Sequence, residues 1–179
     1  EQSSQQAYYY FKTATIDGTN LESGDWVGAF NGDVCVGARR WDISLCGGIC
    51  EVPVLGNDGT EFTAGYMMTD EIPSFKIFDA SENTYLDAIA SEDFQWINLG
   101  FNETDNLQNI IEGCLDDSAC KYNGNVNVDD GSCLENDCAD ECGGSAVDDE
   151  CGVCGGNNSS CDEGCGPNQP GPSGCDETC

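Results

Sequence analysis

The sequence lacks several features that many functional classes need. It contains no histidine, five Lys and Arg residues among 179, and no long apolar run. Without histidine, no side chain is a ready general base near neutral pH, and no nucleophile-elbow, P-loop or dinucleotide motif is present. A formal net charge of −29 opposes binding to nucleic acid or to anionic lipid. We therefore expect no enzyme activity, no organic cofactor, no nucleic-acid partner and no membrane insertion.

Large apolar residues are scarce in the last third of the chain, where the only aromatic residue after Phe101 is Tyr122. Residues 112–179 hold eleven of the 14 cysteines, separated mainly by Asp, Asn, Gly and Ser. Such a segment has too little apolar surface to fold by burial, so cross-links or bound ions must order it. The sequence predicts a β-sandwich domain at 1–111 and a Cys-rich acidic repeat stalk at 112–179, extended and mostly irregular.

The abundance of cysteine indicates a secreted chain rich in disulfides. The chain begins at Glu1, as a mature protein does after a signal peptide is removed, and we expect an extracellular or cell-surface location. Three cysteines precede residue 112 and eleven follow it, so a bridge joins the two parts, two thiols stay free, or a bridge links two chains. The predicted disulfide cysteines are Cys35, Cys46, Cys50, Cys114, Cys120, Cys133, Cys138, Cys142, Cys151, Cys154, Cys161, Cys165, Cys175 and Cys179.

Turn signals divide residues 1–111 into about nine short strands, a spacing typical of an antiparallel, jelly-roll-like β-sandwich. Asn31-Gly32 predicts a tight hairpin whose two turn positions both have positive φ. The predicted strands are 7–16, 25–30, 33–39, 51–55, 61–68, 74–78, 84–89, 95–101 and 106–111. The predicted core is Val27, Phe30, Val34, Val36, Val54, Phe62, Tyr66, Phe75, Ile77, Tyr85, Ile89, Trp96 and Leu99.

Four consecutive aromatic residues, Tyr8, Tyr9, Tyr10 and Phe11, are unusual in a strand with one wet face. One interpretation is a first strand that is buried on both faces. The other is an arm that completes the sheet of a neighbouring subunit. These four residues are therefore the candidate subunit contact.

Oxygen-bearing side chains alternate at residues 123–129 and are followed by Asp130 and Gly131, a pattern that can wrap a calcium ion. The alternative is a polar turn held by side-chain hydrogen bonds without an ion. A weaker second site would use Asp137, Asp140, Asp148 and Asp149. The candidate calcium ligands are Asp116, Asn123, Asn125, Asn127, Asp129 and Asp130.

Three further patterns allow two interpretations each. Cys138, Cys142, Cys151 and Cys154 have a spacing that allows a zinc site, although the acidic, cysteine-rich context favours disulfides. Two sequons make Asn102 and Asn158 candidate glycosylation sites. The three tryptophans either belong to the core or line a sugar-binding face; they are Trp26, Trp41 and Trp96.

Two parts of the sequence resemble known modules. The segments GCLDDSACKYNGNVNVDDGSC and CADECGGSAVDDECGVCGGNNSSC resemble Cys-rich repeats of secreted bacterial surface proteins, and they are loosely similar to the calcium-binding repeats of thrombospondin type 3. The segments GDWVGAFNGDVCVGAR, FTAGYMM and PSFKIFDAS resemble β-sandwich modules in adhesins and pilus-like fibrils of environmental bacteria. The resemblance implies secretion and a structural or adhesive role.

We therefore expect a structural subunit of an extracellular homopolymeric filament or surface appendage, assembled by exchange of a strand or of the tail. Its partner would be a second copy of itself. The alternative is a stalked adhesin or carbohydrate-binding module whose partners are glycans.

Overall fold

The computed structural model describes residues 3–157, and the chain divides into two compact units, Glu1–Ile111 and Glu112–Cys179. The predicted all-β class is confirmed, since the described residues contain β-strands, turns and one short 3-10 helix, Glu61–Thr63. The prediction of a disulfide-rich chain is also confirmed.

The first unit is one curled, mixed sheet. Its strands follow the order β2-β1-β8-β7-β6-β3-β4, and β5 also pairs with β1. Every pairing is antiparallel except that of β1 with β8, which run parallel. The strands are β1 (Gln6–Ile16), β2 (Thr19–Asn20), β3 (Trp26–Asn31), β4 (Val34–Arg40), β5 (Cys50–Leu55), β6 (Ser74–Asp79), β7 (Thr84–Ala90) and β8 (Phe101–Asn109).

Strand β1 lies inside the sheet, with β5 along one edge and β8 along the other. Because successive side chains of a strand point to opposite faces, its aromatic run is divided between two environments. Tyr9 and Phe11 are buried in the core, whereas Tyr8 and Tyr10 are partly exposed on the outer face. The first strand therefore supplies both the centre of the core and part of the surface.

The core fills the inside of the curl. Of the predicted core residues, Val27, Val36, Val54, Phe75, Ile77 and Trp96 are buried. Five predictions are wrong because these residues lie on outward strand positions or in loops: Val34, Phe62, Tyr85, Ile89 and Leu99 are exposed. Instead, Thr63 and Met67 of the loop after β5 are fully buried.

Three strand predictions need correction. Asn31 pairs with Val34, so the two turn residues are Gly32 and Asp33 and only Gly32 has a positive φ, of 56°. Residues 61–68 form no strand. The Asp58 carboxylate accepts hydrogen bonds from Thr60 and Thr63 and curls this loop instead.

Residues 95–101 are also mostly irregular. The Trp96 indole lies in the core and donates to the Val54 carbonyl oxygen at 2.9 Å. The predicted strands at 95–101 and 106–111 are replaced by the single strand β8. The buried Trp96 side chain thus anchors the loop that precedes β8.

The two ends of the curled sheet meet where β4 lies against β5. Gly37 of β4 and Pro53 of β5 approach so closely that only a glycine fits at residue 37. Beside them, Arg39 and Glu51 form an ion pair with a nitrogen-to-oxygen distance of 2.9 Å. The core is therefore enclosed without any α-helix in residues 3–157.

The second unit contains little regular structure in its described part. Two short strands, β9 (Glu112–Gly113) and β10 (Val128–Asp129), pair in parallel. Its buried apolar residues in that part are Cys114, Ala119 and Val126. Interleaved disulfides connect successive turns, namely Cys114–Cys133, Cys120–Cys142 and Cys138–Cys154, and Cys151 is also disulfide-bonded.

Two successive turns in this unit share one hydrogen-bonding pattern. The Asp137 carboxylate accepts hydrogen bonds from the amides of Ala139 and Glu141 at 2.8 and 3.0 Å. Twelve residues later, Asp149 accepts bonds from the amides of Cys151 and Val153, both at 2.9 Å. An aspartate thus organises each turn, and disulfides join the turns.

Cysteine pairing in the first unit resolves one of the alternatives that the sequence left open. Cys46 and Cys50 are bonded to each other, so neither bridges to the stalk. Cys35 is exposed and free in this single chain, which leaves the free-thiol and inter-chain alternatives open for this residue.

Candidate interaction surface

A groove runs across the outer face of β3, β4, β6 and β7 and has a volume of about 660 Å³. Its floor contains Gly28 and Ala38, which are direct partners in the antiparallel pair of β3 and β4. Small side chains at facing positions leave a depression between larger neighbours. The groove residues are Trp26, Gly28, Phe30, Cys35, Ala38, Lys76, Phe78 and Tyr85.

Aromatic side chains form the walls of this groove. At one end Trp26, Phe78 and Tyr85 occupy paired positions of three neighbouring strands. The rings of Phe78 and Tyr85 are 4.8 Å apart between centroids. Trp26 is 43% exposed and Tyr85 is 71% exposed, which leaves large apolar surfaces open to an occupant.

The other end combines apolar, cationic and thiol groups. Lys76 Nζ lies 5.8 Å from the centroid of the Phe30 ring, a cation–π contact, and also pairs with Asp87. The Cys35 thiol lies opposite Phe30 and donates a weak hydrogen bond to the Gly37 carbonyl oxygen, at 3.5 Å. An exposed free thiol therefore lines an apolar groove.

Basic residues are concentrated beside the groove. A smaller adjoining pocket shares Trp26 and Ala38 with it and is lined by Arg39 and Arg40. Together with Lys76, three of the five bases of a chain with net charge −29 lie along this surface. Two of these bases have acidic partners, Arg39 with Glu51 and Lys76 with Asp87.

A second aromatic patch lies on the outer face of β1 and β8. The Phe101 ring stacks on Tyr8 and Tyr10 with centroid distances of 5.8 and 6.3 Å. Phe101 is 74% exposed. Of the four predicted subunit-contact residues, Tyr8 and Tyr10 belong to this patch, and Tyr9 and Phe11 lie in the core of their own unit.

The three tryptophans have different roles. Trp41 and Trp96 are buried, so their rings cannot line a sugar-binding face. Trp26 alone of the three lines the groove. The sequence contained a signal for this difference, because Trp26 alternates with the inward-facing Val27 and Ala29 of the same strand.

The candidate calcium ligands are used by their own turns. Asp116 accepts hydrogen bonds from the amide and hydroxyl of Ser118, Asn123 from the amide of Asn125, and Asp130 from the amide of Ser132. Hydrogen bonds from Ser118 lower the pKa of Asp116, and those from Ser132 lower the pKa of Asp130. These contacts match the alternative interpretation, a polar turn.

The remaining predicted ligands do not complete a carboxylate cluster. Asp129 accepts a hydrogen bond from the amide of Gly131 at 3.0 Å, and Asn125 and Asn127 lie in the same loop. Asp116, Asp129 and Asp130 do not bring three carboxylate oxygens within 4.8 Å of one another. Because three of the predicted ligands are asparagines, carboxylate geometry alone does not decide the question, and calcium binding stays a prediction.

One group of potential metal ligands does converge in the described residues. The ligand atoms of Cys138, Asp148 and Cys154 lie within 4.8 Å of one another. The two sulfur atoms are bonded to each other, however, and a disulfide does not supply the thiolates that metal ligation requires. Cys142 and Cys151 are also in disulfides, which excludes the four-thiolate zinc site in this state.

The sequon at Asn102 lies within β8. The Asn102 Nδ2 atom is buried and has no hydrogen-bond partner. The hydroxyl of Thr104, two residues later, is also buried and without a partner. Since a glycan would have to attach to this buried nitrogen, the folded sheet is incompatible with glycosylation at Asn102. The second predicted site, Asn158, lies outside the described residues.

Within residues 3–157, no helix is long and apolar enough to cross a membrane. Comparisons with protein-family models, with curated protein sequences and with solved structures find no significant match to this chain.

Proposed function

We propose that this protein is a structural subunit of an extracellular homopolymeric filament or surface appendage. The observation that carries the proposal is the aromatic groove on the outer face of the sheet. Contiguous apolar surfaces that remain exposed on a folded domain commonly mark interaction sites. The disulfides of both units are consistent with an extracellular protein.

The groove and the patch formed by Tyr8, Tyr10 and Phe101 supply two outward aromatic surfaces on one unit. A subunit that contacts two neighbours through different surfaces forms open chains when the contact does not close into a ring. The disulfide-linked second unit suits a spacer, because covalent cross-links resist extension without needing a large core. These features together favour assembly over a catalytic role.

Exchange of the tail fits this structure better than exchange of the first strand. Removing β1 would break its pairing with both β5 and β8 and would expose Tyr9 and Phe11. That loss would dismantle the sheet, since β1 connects its two parts. An outward groove, by contrast, can accept a neighbouring chain without unfolding either subunit.

Electron microscopy of the purified full-length protein, without reductant and over a range of concentrations, tests the proposal. We expect filaments in the wild type and fewer or shorter filaments in Trp26→Ser/Tyr85→Ser. The matched control is Thr19→Ser, a conservative exchange at an exposed residue of β2. Monomers at every concentration would contradict the proposal.

A carbohydrate-binding function is the second candidate, and the exposed Trp26 ring in the groove favours it. Aromatic faces in an open groove suit stacking against sugar rings, and the nearby Lys76 can contact polar groups. A glycan array would show binding that Trp26→Ala abolishes and that Tyr8→Ala, an outward aromatic change elsewhere, leaves unchanged. Binding without assembly would favour this candidate over the filament.

A further inference from the structure

We propose that the groove binds the proline-rich tail of a second copy of this chain, and that Cys35 forms an inter-subunit disulfide with a cysteine of that tail. The inference rests on the proposed filament function and names the contact that joins its subunits. The occupant is the segment around 161–175, whose sequence is CDEGCGPNQPGPSGC.

The number of cysteines supports this partner. The chain has 14 cysteines, and among the described ones only Cys35 is not in a disulfide. Because 14 is even, one unpaired cysteine leaves at least one other without a mate in the same chain. That other cysteine belongs to the set Cys161, Cys165, Cys175 and Cys179. Reciprocal pairing between copies would satisfy both.

The chemistry of the groove matches the tail sequence. Proline-rich segments are recognised by grooves lined with aromatic side chains, where prolines pack between the rings. Pro167, Pro170 and Pro172 lie between Cys165 and Cys175. The groove offers Trp26, Phe78 and Tyr85 as walls, with the small residues Gly28 and Ala38 as its floor. A tail bound there would bring a cysteine to the end of the groove where Cys35 lies.

Charge favours the same occupant. Residues 158–179 contain four acids and no Lys or Arg: Asp162, Glu163, Asp176 and Glu177. Arg39, Arg40 and Lys76 lie along the groove and its adjoining pocket. Arg39 is already paired with Glu51 and Lys76 with Asp87, whereas Arg40 donates only to a carbonyl oxygen, that of Ser23, so Arg40 is the base that an acidic tail would pair with here.

Formation of the bridge is a balanced oxidation. The Cys35 thiol and the tail thiol each lose one proton and one electron as the sulfur–sulfur bond forms. A small-molecule disulfide, such as oxidised glutathione, accepts both electrons and protons and becomes two thiols. The Cys35 thiolate first attacks that disulfide, which forms a mixed disulfide between Cys35 and glutathione and releases one glutathione. The tail thiolate then attacks the Cys35 sulfur atom and releases the second glutathione.

The test mixes unlabelled and ¹⁵N-labelled full-length protein before assembly in a glutathione redox buffer, followed by non-reducing peptide mass spectrometry. We expect peptides that join Cys35 of one isotope to a tail cysteine of the other. Trp26→Ser/Tyr85→Ser should lower their yield about tenfold, the effect of losing about 1.4 kcal/mol of docking free energy. The control Thr19→Ser should leave the yield unchanged.

Electron microscopy of the same samples separates the two proposals. Mixed-isotope Cys35 peptides in filaments, absent from Cys35→Ser, support the inference. Filaments that contain only same-isotope Cys35 peptides, or none, overturn it and leave the filament function standing. A wild type that forms no filaments and no mixed-isotope peptides overturns both.

Discussion

Gly37 of β4 lies against the backbone of Pro53 of β5, where a Cβ atom on residue 37 would overlap the Pro53 carbonyl oxygen. This contact closes the curled sheet at the point where its two ends meet. Strands normally stand far enough apart for side chains, so the absence of a Cβ permits the approach. The enclosed core, and with it the outward groove, depends on this closure.

Gly37→Ala should therefore destabilise the first unit by about 3 kcal/mol, since the overlap is with backbone and cannot be relieved by a side-chain rotation. Urea unfolding followed by tryptophan fluorescence measures the change. The matched control is Gly24→Ala, whose Cβ would lie 3.4 Å from the Cβ of Ala80, an ordinary contact. Equal stabilities for both variants would contradict the proposed closure.

Two buried threonines should respond in opposite directions to the same substitution. The Thr104 hydroxyl is buried without a partner, so Thr104→Val should raise the free energy of unfolding by about 1 kcal/mol. The Thr63 hydroxyl donates to Asp58 at 2.9 Å and accepts from the Asp58 amide at 3.2 Å. Thr63→Val should lower the free energy of unfolding by about 1–3 kcal/mol. Urea unfolding of both variants tests the pair, and a loss of stability in Thr104→Val would be inconsistent with an unsatisfied hydroxyl.

Acid should weaken the loop that Asp58 organises. Hydrogen bonds from the Ser4 amide and from Thr60 and Thr63 lower the pKa of Asp58. A carboxyl group whose pKa is lower in the folded state stabilises that state above its unfolded pKa of about 3.9, and the contribution disappears as the pH falls through the folded pKa. The thermal midpoint of Asp58→Asn should therefore lie below that of the wild type at pH 6, and the difference should begin to shrink below about pH 4 and vanish only near the lower, folded pKa.

Thr60→Val is the control for this prediction, because it removes one donor and keeps the carboxylate. It should show a smaller difference from the wild type, with convergence over the same pH range. A constant difference between Asp58→Asn and the wild type at all pH values would contradict the assignment.

Much of the first unit was predictable because its signals are local. The alternation of side chains from Trp26 to Ala29 indicates a strand, and Gly32 marks the turn that follows it. The parallel pairing of β1 with β8 was not predictable, since it joins opposite ends of the unit and depends on how the sheet curls. The loop after β5 has apolar residues at strand-like spacing. The Asp58 carboxylate accepts hydrogen bonds from Thr60 and Thr63, however, and the loop curls instead of forming a hairpin.

The groove was missed for a related reason. Its floor arises from Gly28 and Ala38, and its walls from Trp26, Phe78 and Tyr85, which come together only across strands. The sequence suggested a core position for Tyr85 because tyrosine is large and often buried. Disulfide partners were equally inaccessible, since many pairings of 14 cysteines satisfy the spacing alone.

Removal of divalent cations should leave the described part of the second unit ordered. Its aspartates accept hydrogen bonds within their own turns, and its disulfides join those turns without an ion. Hydrogen exchange of residues 112–157 should be the same in chelator as in millimolar calcium. Faster exchange at residues 123–131 in chelator would instead establish the predicted calcium site.

The central physical claim is that packing holds the first unit and covalent bonds hold the second. Hydrogen exchange with mass spectrometry, in chelator and with or without a strong reductant, tests it most directly. We predict that reduction abolishes protection in residues 112–157 and leaves β1, β3, β6 and β8 protected. Protection of residues 112–157 that persists in fully reduced protein would contradict the claim.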